Sequence, residues 1–186
     1  MTELGLGLSA VRRYEDALSV GEAELATLRR FVDSKDNILS VQSNLACTYE
    51  LLGRSNEALS LRQEVYSGRL KLEGEEHIYT LNAANNYATS LQILERFKEA
   101  KSLMRKTVPK ARRVLGEAHE ITLGMRHNYA LALFGDPGAT LDDFREAVVT
   151  FEETERTMRR VFGGAHPLTT GVEAPLRRAR AARAVL

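Results

Sequence analysis

The stretch NLACTYELLGRSNEAL, residues 44–59, decides the fold of this chain because its parts recur along the sequence. Its opening Asn44-Leu45-Ala46 returns as Asn86-Tyr87-Ala88 and as Asn128-Tyr129-Ala130, each 42 residues after the last. A fixed period of this length is typical of repeat proteins, in which one supersecondary unit stacks on the next.

Two further markers keep the same spacing. The pair Glu57-Ala58 recurs 42 residues on as Glu99-Ala100, and 47 residues later as Glu146-Ala147, so the last copy carries an insertion of five residues. A Gly-x-x-His motif repeats with the same two intervals and spans Gly74 to His77, Gly116 to His119 and Gly163 to His166. The insertion corresponds to residues 135–139, whose Gly and Pro content predicts a loop.

Apolar residues inside each unit step by three and four positions, which predicts two helices per repeat, A and B. Helix A is predicted at 38–52, 79–94, 121–134 and 168–184. Helix B is predicted at 14–32, 56–72, 97–114 and 142–161. The hydroxyls expected to cap the helix A starts are those of Ser40, Thr80, Thr122 and Thr169. The glycines expected to end helix B in a left-handed conformation are Gly74, Gly116 and Gly163.

The composition is that of an ordinary soluble globular protein, with 44 % apolar and 27 % charged residues in a chain of 186. Twenty-six basic and 25 acidic side chains give a net charge of +1, so no global field favours nucleic acid or a membrane. The chain has one cysteine, Cys47, which we expect to be a small packed side chain. A single cysteine favours a reducing compartment, so we expect a cytoplasmic protein without a signal peptide or membrane span.

The repeated residues resemble the tetratricopeptide signature, here Asn44 to Tyr49, then Gly53, then Glu57-Ala58. The longer unit, with Leu115-Gly116 before His119 and with Thr122-Leu123 after it, is similar to the kinesin-light-chain type of this repeat. The resemblance covers about residues 14–170. It implies an all-α, right-handed superhelical solenoid of antiparallel helix pairs, with small residues such as Ala58, Ala100 and Ala147 buried where the helices cross. HEAT or armadillo repeats, which have a similar period, are the alternative.

The resemblance also predicts the organisation of the chain as a single solenoid domain, residues 1–186. Its parts are a partial repeat at 1–34, repeats at 35–76, 77–118 and 119–165, and a C-terminal capping helix at 166–186. The helix A of the partial repeat is either residues 1–10 or missing. Kinesin light chains carry a heptad coiled coil before their repeats, and no such pattern precedes Tyr14, so a motor-subunit role does not follow.

In this family the A helices line a concave face, and the resemblance therefore places a peptide-binding groove there. The groove residues are Asn44, Asn82, Asn85, Asn86, Thr89, His127, Asn128 and Leu131. Asn44, Asn86 and Asn128 form a ladder with one asparagine per repeat, and an asparagine amide can hold the main chain of an extended peptide. The alternative is that each asparagine bonds within its own repeat and sets helix spacing.

Other chemical signals in the sequence are weak. His77, His119 and His166 lie on different repeats, too far apart to share a zinc ion, so we expect each to pack or hydrogen-bond before its helix A. Basic clusters lie on two helices: Lys106, Lys110, Arg112 and Arg113, then Arg177, Arg178, Arg180 and Arg183. We interpret them as solvated faces rather than as a nucleic-acid site.

The function predicted from the sequence is a protein–protein interaction scaffold or adaptor that binds a partner peptide or segment in the helix A groove. The alternative is a structural or oligomerising repeat segment of a larger protein. No catalytic residues, metal or cofactor are expected, so the chain is predicted not to be an enzyme. The expected partner is a protein or peptide rather than nucleic acid or a membrane.

Overall fold

The computed structural model describes residues 3–31 and 34–183, and within them the chain forms eight α-helices and no strand. The helices are α1 (Glu3–Phe31), α2 (Lys35–Leu51), α3 (Ser55–Glu73), α4 (Ile78–Ile93), α5 (Phe97–Leu115), α6 (Glu120–Gly135), α7 (Leu141–Phe162) and α8 (Pro167–Arg183). The predicted all-α class and the antiparallel helix pairs are confirmed. None of these helices is long and apolar enough to cross a membrane.

The chain divides into two compact units, Met1–Gly74 and Glu75–Leu186. Unit 1 contains α1 to α3, and unit 2 contains α4 to α8. The single repeat domain expected over residues 1–186 stays a prediction.

In unit 1, α2 contacts both α1 and α3. The core of the unit consists of Leu18 and Leu25 from α1 with Val41 and Leu45 from α2. Leu61 of α3 packs against this core. Burying these side chains on both sides of α2 fixes the two B helices, α1 and α3, against one A helix.

In unit 2, each helix packs against the next in the chain, and the A helices α4, α6 and α8 also contact one another in order. The fully buried residues of α7 include Phe151, Met158 and Val148, and Phe151 is the largest fully buried side chain of the described residues. A helix pair cannot bury both of its apolar faces alone, so stacked pairs of this kind stabilise each other.

Most helix boundaries agree with the prediction. Helices α3 to α7 begin and end within one residue of the expected bounds. The expected last residue of α8, residue 184, lies outside the described residues. Helix α2 begins three residues early behind Ser34, whose side chain accepts the backbone N–H of Asn37 at 3.3 Å. Helix α1 is continuous from Glu3, because nothing between Ala10 and Tyr14 breaks it, so residues 3–10 form no separate helix A.

The expectation that hydroxyls cap the A helices of unit 2 is wrong. The cap is the histidine of each Gly-x-x-His motif, whose Nδ1 accepts the N–H two residues on: 3.4 Å for His77, 3.2 Å for His119 and 3.3 Å for His166. Two of the threonines lie inside the first turn and bond to the preceding helix B or to the glycine that ends it. Thr122 donates to the Ala111 carbonyl at 3.3 Å and Thr169 to the Gly163 carbonyl at 2.9 Å. In unit 1, Ser40 likewise caps nothing and donates to the Asp36 carbonyl at 2.9 Å.

The glycines that end the B helices have positive φ as expected, but not the left-handed helical conformation. Gly74, Gly116 and Gly163 have φ of 87°, 90° and 87° with ψ of 171°, 163° and 163°. This region is almost restricted to glycine, because a Cβ would clash with the neighbouring backbone. The repeated Gly-x-x-His motif thus combines a backbone position that needs glycine with a histidine cap.

The predicted alanines and the inserted loop are both observed. Ala58, Ala100 and Ala147 are fully buried, as small residues at a helix crossing should be. In the insertion, Gly135 still belongs to α6, and the loop runs from Asp136 to Thr140. The Asp136 carboxylate accepts the N–H of Gly138 at 2.9 Å, which holds the turn.

Buried charge in unit 1 is the main feature that the sequence analysis missed. The side chains of Arg62 and Arg69 on α3 are only 7 % and 8 % exposed. Arg62 donates to Glu50 and to the Ser43 hydroxyl, both at 3.2 Å. Arg69 forms ion pairs with Asp36 and Glu73. Because a buried cation needs such partners, these contacts determine which polar residues α2 must carry.

Candidate functional site

The A helices α4 and α6 of unit 2 are joined by a seam of side-chain amides. The Asn128 Nδ2 group donates to the side-chain oxygen of Asn85 at 2.9 Å and to the Thr89 hydroxyl at 3.0 Å. In return, Gln92 donates its amide to the backbone carbonyl of Asn128 at 2.5 Å. The Thr89 hydroxyl also donates to the Asn85 carbonyl at 3.2 Å. This amide seam fixes the position of α6 relative to α4.

The three ladder asparagines therefore have different environments. Asn128 is buried, and its side-chain amide donates to residues of α4. This favours the alternative that the asparagine sets helix spacing rather than binding a peptide. Asn86 is half-buried on α4, and Asn44 is exposed on α2 of unit 1. A repeated residue type at a repeated position does not guarantee a repeated contact.

Other amides of α4 remain available to a ligand. Asn82 is exposed and Asn86 half-buried, and within the described residues neither side chain has a hydrogen-bond partner in the protein. Asn85 accepts from Asn128 through its oxygen, which leaves its Nδ2 group to donate elsewhere. On the facing helix, a methyl group at Gly124 would just touch the Asn85 amide, at 3.6 Å. We call this surface, with Asn82, Asn85 and Asn86 on α4 and Gly124 on α6, the amide face of α4 and α6. Its amides can bind both hydrogen-bond donors and hydrogen-bond acceptors.

The structure places the predicted groove residue His127 against α7, and Leu131 against the apolar core of unit 2. The His127 ring packs edge-on against Phe151, with 5.6 Å between ring centroids. Burial lowers the pKa of His127 to about 4, because the charged imidazole would lose its hydration there. Leu131 is half-buried against the same core. The His127 ring therefore stabilises the contact between α6 and α7.

Cys47 is exposed on α2, so the expectation that it packs as a small core residue is wrong. Its neighbours Leu45 and Ala46 are buried and define the inner face of the helix. One residue further, the 100° step of an α-helix carries the side chain of Cys47 off that face.

The repeated histidines act locally, as helix caps. Among the described residues, no group of three or more His, Cys, Asp and Glu side chains is placed to hold a metal ion.

The basic cluster on α5 is largely balanced by carboxylates. Lys110 pairs with Glu75, Arg112 with Glu117, and Arg113 with Glu76. On α8, Arg180 pairs with Glu152 at 2.9 Å, whereas Arg177 and Arg178 are exposed. The side chain of Arg183 lies outside the described ones. Because most of these cations are paired, the basic clusters are better interpreted as solvated faces than as a nucleic-acid site.

Gln92 is the residue of the amide seam that sequence reasoning missed. Its equivalents one repeat away are Glu50 and Phe134, so no periodic signal marks it. The only sequence feature that could have indicated a role in the seam is its position, one helical turn beyond Thr89 on the same helix.

These helix pairs, with their Gly-x-x-His turns and buried alanines, define an all-α helix-pair repeat protein. Residues 38–79 and 80–120 match the family model of the tetratricopeptide repeat. These two segments are tetratricopeptide repeats, and the fold of the chain is similar to that of solved kinesin-light-chain repeat structures. No curated protein sequence matches it significantly.

Solved structures agree on the fold. Two crystal structures of a Podosopora anserina putative kinesin light chain with nearly identical TPR-like repeats align with TM-scores of 0.76 and 0.74 at 23 % identity. Both alignments cover 97 % of this chain, and they cover 86 % and 87 % of the other. BtubC (BKLC) from P. vanneervenii aligns with a TM-score of 0.63 at 16 % identity, over 91 % of this chain and 74 % of its own.

Proposed function

We propose that this protein is an interaction scaffold and that the amide face of α4 and α6 binds an extended segment of a partner protein. The observation that supports it most directly is the amide seam. Because Asn128 holds the oxygen of Asn85, the free Nδ2 group of Asn85 has a fixed direction. A donor fixed before binding loses little conformational freedom when a partner arrives.

The chemistry of this face favours main-chain recognition. Asn82, Asn85 and Asn86 offer neutral amides, which match the alternating N–H and C=O groups of an extended peptide. Such contacts hold a segment without selecting strongly for its side chains.

A peptide selection tests the proposal. An unstructured phage-displayed peptide library is panned against the full chain, and the affinity of selected peptides is measured by fluorescence anisotropy. The double change Asn82→Ala/Asn86→Ala should weaken binding at least about tenfold, because several hydrogen bonds of ~1 kcal/mol are lost. Failure to select any peptide, or selected peptides that bind the double variant normally, would refute the amide face as the site.

Gln63→Ala is the matched control, because Gln63 is an exposed amide on a B helix of unit 1. It should leave both binding and the melting temperature unchanged. Asn128→Ala is not a clean test of binding, since it also opens the amide seam and lowers stability.

A further inference from the structure

Unit 1 contains a groove of about 440 Å³ between α1 and α3, with α2 beneath it. Its apolar floor consists of Leu25 from α1, Leu45 from α2 and Leu61 from α3. Asn44, the α2 residue predicted to bind a peptide, does not line it. We call this the unit 1 groove.

Two carboxylates on opposite walls of the groove are not neutralised. Glu22 on α1 accepts a hydrogen bond from the Tyr49 hydroxyl at 2.7 Å, and Glu64 on α3 accepts one from the Gln42 amide at 2.6 Å. Both donors are uncharged. Glu57 also lines the groove but pairs with Arg54 at 2.9 Å, and Arg29 is the one cation of the described lining.

The corresponding groove of unit 2, about 320 Å³ between α5 and α7, has a different charge pattern. Arg126 occupies the repeat position of Gln42 and pairs with Glu153 at 2.6 Å, where unit 1 has the neutral Gln42–Glu64 bond. Arg105 lines the α5 wall, which corresponds to the α1 wall of unit 1, and its Nε donates to the Tyr129 hydroxyl at 3.3 Å. The same fold position therefore carries excess negative charge in unit 1 and balanced charge in unit 2.

We propose that the unit 1 groove is a docking site for a helical segment of a partner protein whose apolar face is flanked on both sides by lysines or arginines. The apolar face would cover Leu25, Leu45 and Leu61, as in other complexes that seat a helix in a groove. Cations on its two flanks would reach Glu22 and Glu64. This site lies on helices other than those of the amide face, and so goes beyond the proposed function.

The test uses a labelled synthetic helical peptide with a leucine face flanked by lysines, titrated with the full chain at low salt. A second peptide has the same leucines flanked by glutamates. The lysine peptide should bind at least about tenfold more tightly, and its affinity should fall as salt is added. Equal binding of the two peptides, or no binding of either, would overturn the proposal.

Charge-removing variants locate the site. Glu22→Gln/Glu64→Gln keeps both acceptors and should weaken the lysine peptide roughly three- to tenfold, the range for two exposed ion pairs. Glu24→Gln is the matched control on α1, because Glu24 is exposed and does not line the groove. An equal loss in the control would show general charge attraction and contradict the docking site.

Two further measurements distinguish this docking site from the amide face and from self-association of the chain. Asn82→Ala/Asn86→Ala, which tests the amide face, should leave the lysine peptide bound, so either proposal can fail alone. Ala26→Arg fills the groove and should abolish peptide binding. If sedimentation instead shows that Ala26→Arg turns a self-associated chain into a monomer, a second copy occupies the groove and the proposal is wrong.

Discussion

The inner face of α3 in unit 1 carries Arg62, whereas the same repeat position in unit 2 carries Met104 on α5 and Phe151 on α7. All three side chains are buried. The residue on the adjoining A helix changes with them: Glu50 with the arginine, Gln92 with the methionine, and Phe134 with the phenylalanine. The position determines burial, and the pair of residues determines whether that burial is charged, polar or apolar.

This difference shows what a repeat constrains. The period fixes which residues face inward, because helix geometry is the same in each copy. It does not fix which residue types are buried there, provided that each buried polar group finds a hydrogen-bond or ion-pair partner.

Moving the charge into unit 2 should have the largest effect. Met104→Arg places a guanidinium in a fully buried site, and Gln92 rather than a glutamate occupies the repeat position of Glu50. We expect a loss of more than about 4 kcal/mol of unfolding free energy, since an uncompensated buried charge costs several kcal/mol. Hydrogen exchange measured by mass spectrometry should show the loss in α4 to α7. Adding Gln92→Glu should restore part of it, and an unchanged exchange pattern in Met104→Arg would show that the pairing rule is wrong.

The second largest effect should be a difference between the two units in how their stability depends on pH. All four histidines lie in unit 2, and His127 has a folded pKa of about 4 against an ordinary 6.5. Between these values the unfolded chain binds a proton that the folded chain does not, so stability is complete above pH 6.5 and is lost as the pH falls toward 4. The loss should be about 2–3 kcal/mol.

Urea unfolding at several pH values, with His127→Leu as the comparison, measures this. The variant should show a shallower decline between pH 6.5 and 4.5. An identical slope in both proteins would show that His127 takes up its proton in the folded state.

Replacing the buried Arg62 of unit 1 should lower the free energy of unfolding by a smaller amount. Arg62→Met leaves Glu50 without its guanidinium, but that carboxylate is 19 % exposed and partly hydrated. We expect a loss of about 1–3 kcal/mol by thermal unfolding. Arg54→Met, which breaks the exposed pair with Glu57, is the matched control and should change the melting temperature little. Similar losses in the two variants would contradict the role of burial.

The turns between helices A and B offer the smallest effect. Gly53 has φ of 73°, and the residue at the same place in unit 2 is Glu95 with φ of 57°. A side chain strains this conformation, so Gly53→Ala should lower stability by about 1 kcal/mol and Glu95→Gly should raise it by a similar or smaller amount. Differential scanning calorimetry resolves both shifts. Destabilisation by Glu95→Gly would mean that the Glu95 side chain makes a compensating contact.

Much of the fold could be predicted from one sequence because its signals are local and repeated. The positions of the helices follow from apolar spacing, and the burial of Ala58, Ala100 and Ala147 follows from their recurrence. The candidate site was harder to predict. Asn44, Asn86 and Asn128 are identical in sequence but have three different environments, which depend on the neighbours that each helix meets.

The sequence by itself determined the helix-pair repeat, its period and the glycines that end the B helices, because backbone sterics and helical periodicity act within a short stretch of chain. Tertiary structure alone decided that Thr122 bonds to the preceding helix B instead of capping helix A, that Asn128 bonds across to α4, and that Arg62 is buried. Each of these depends on atoms brought together from different helices or turns. For such contacts the free energy comes from partners that residue spacing does not reveal.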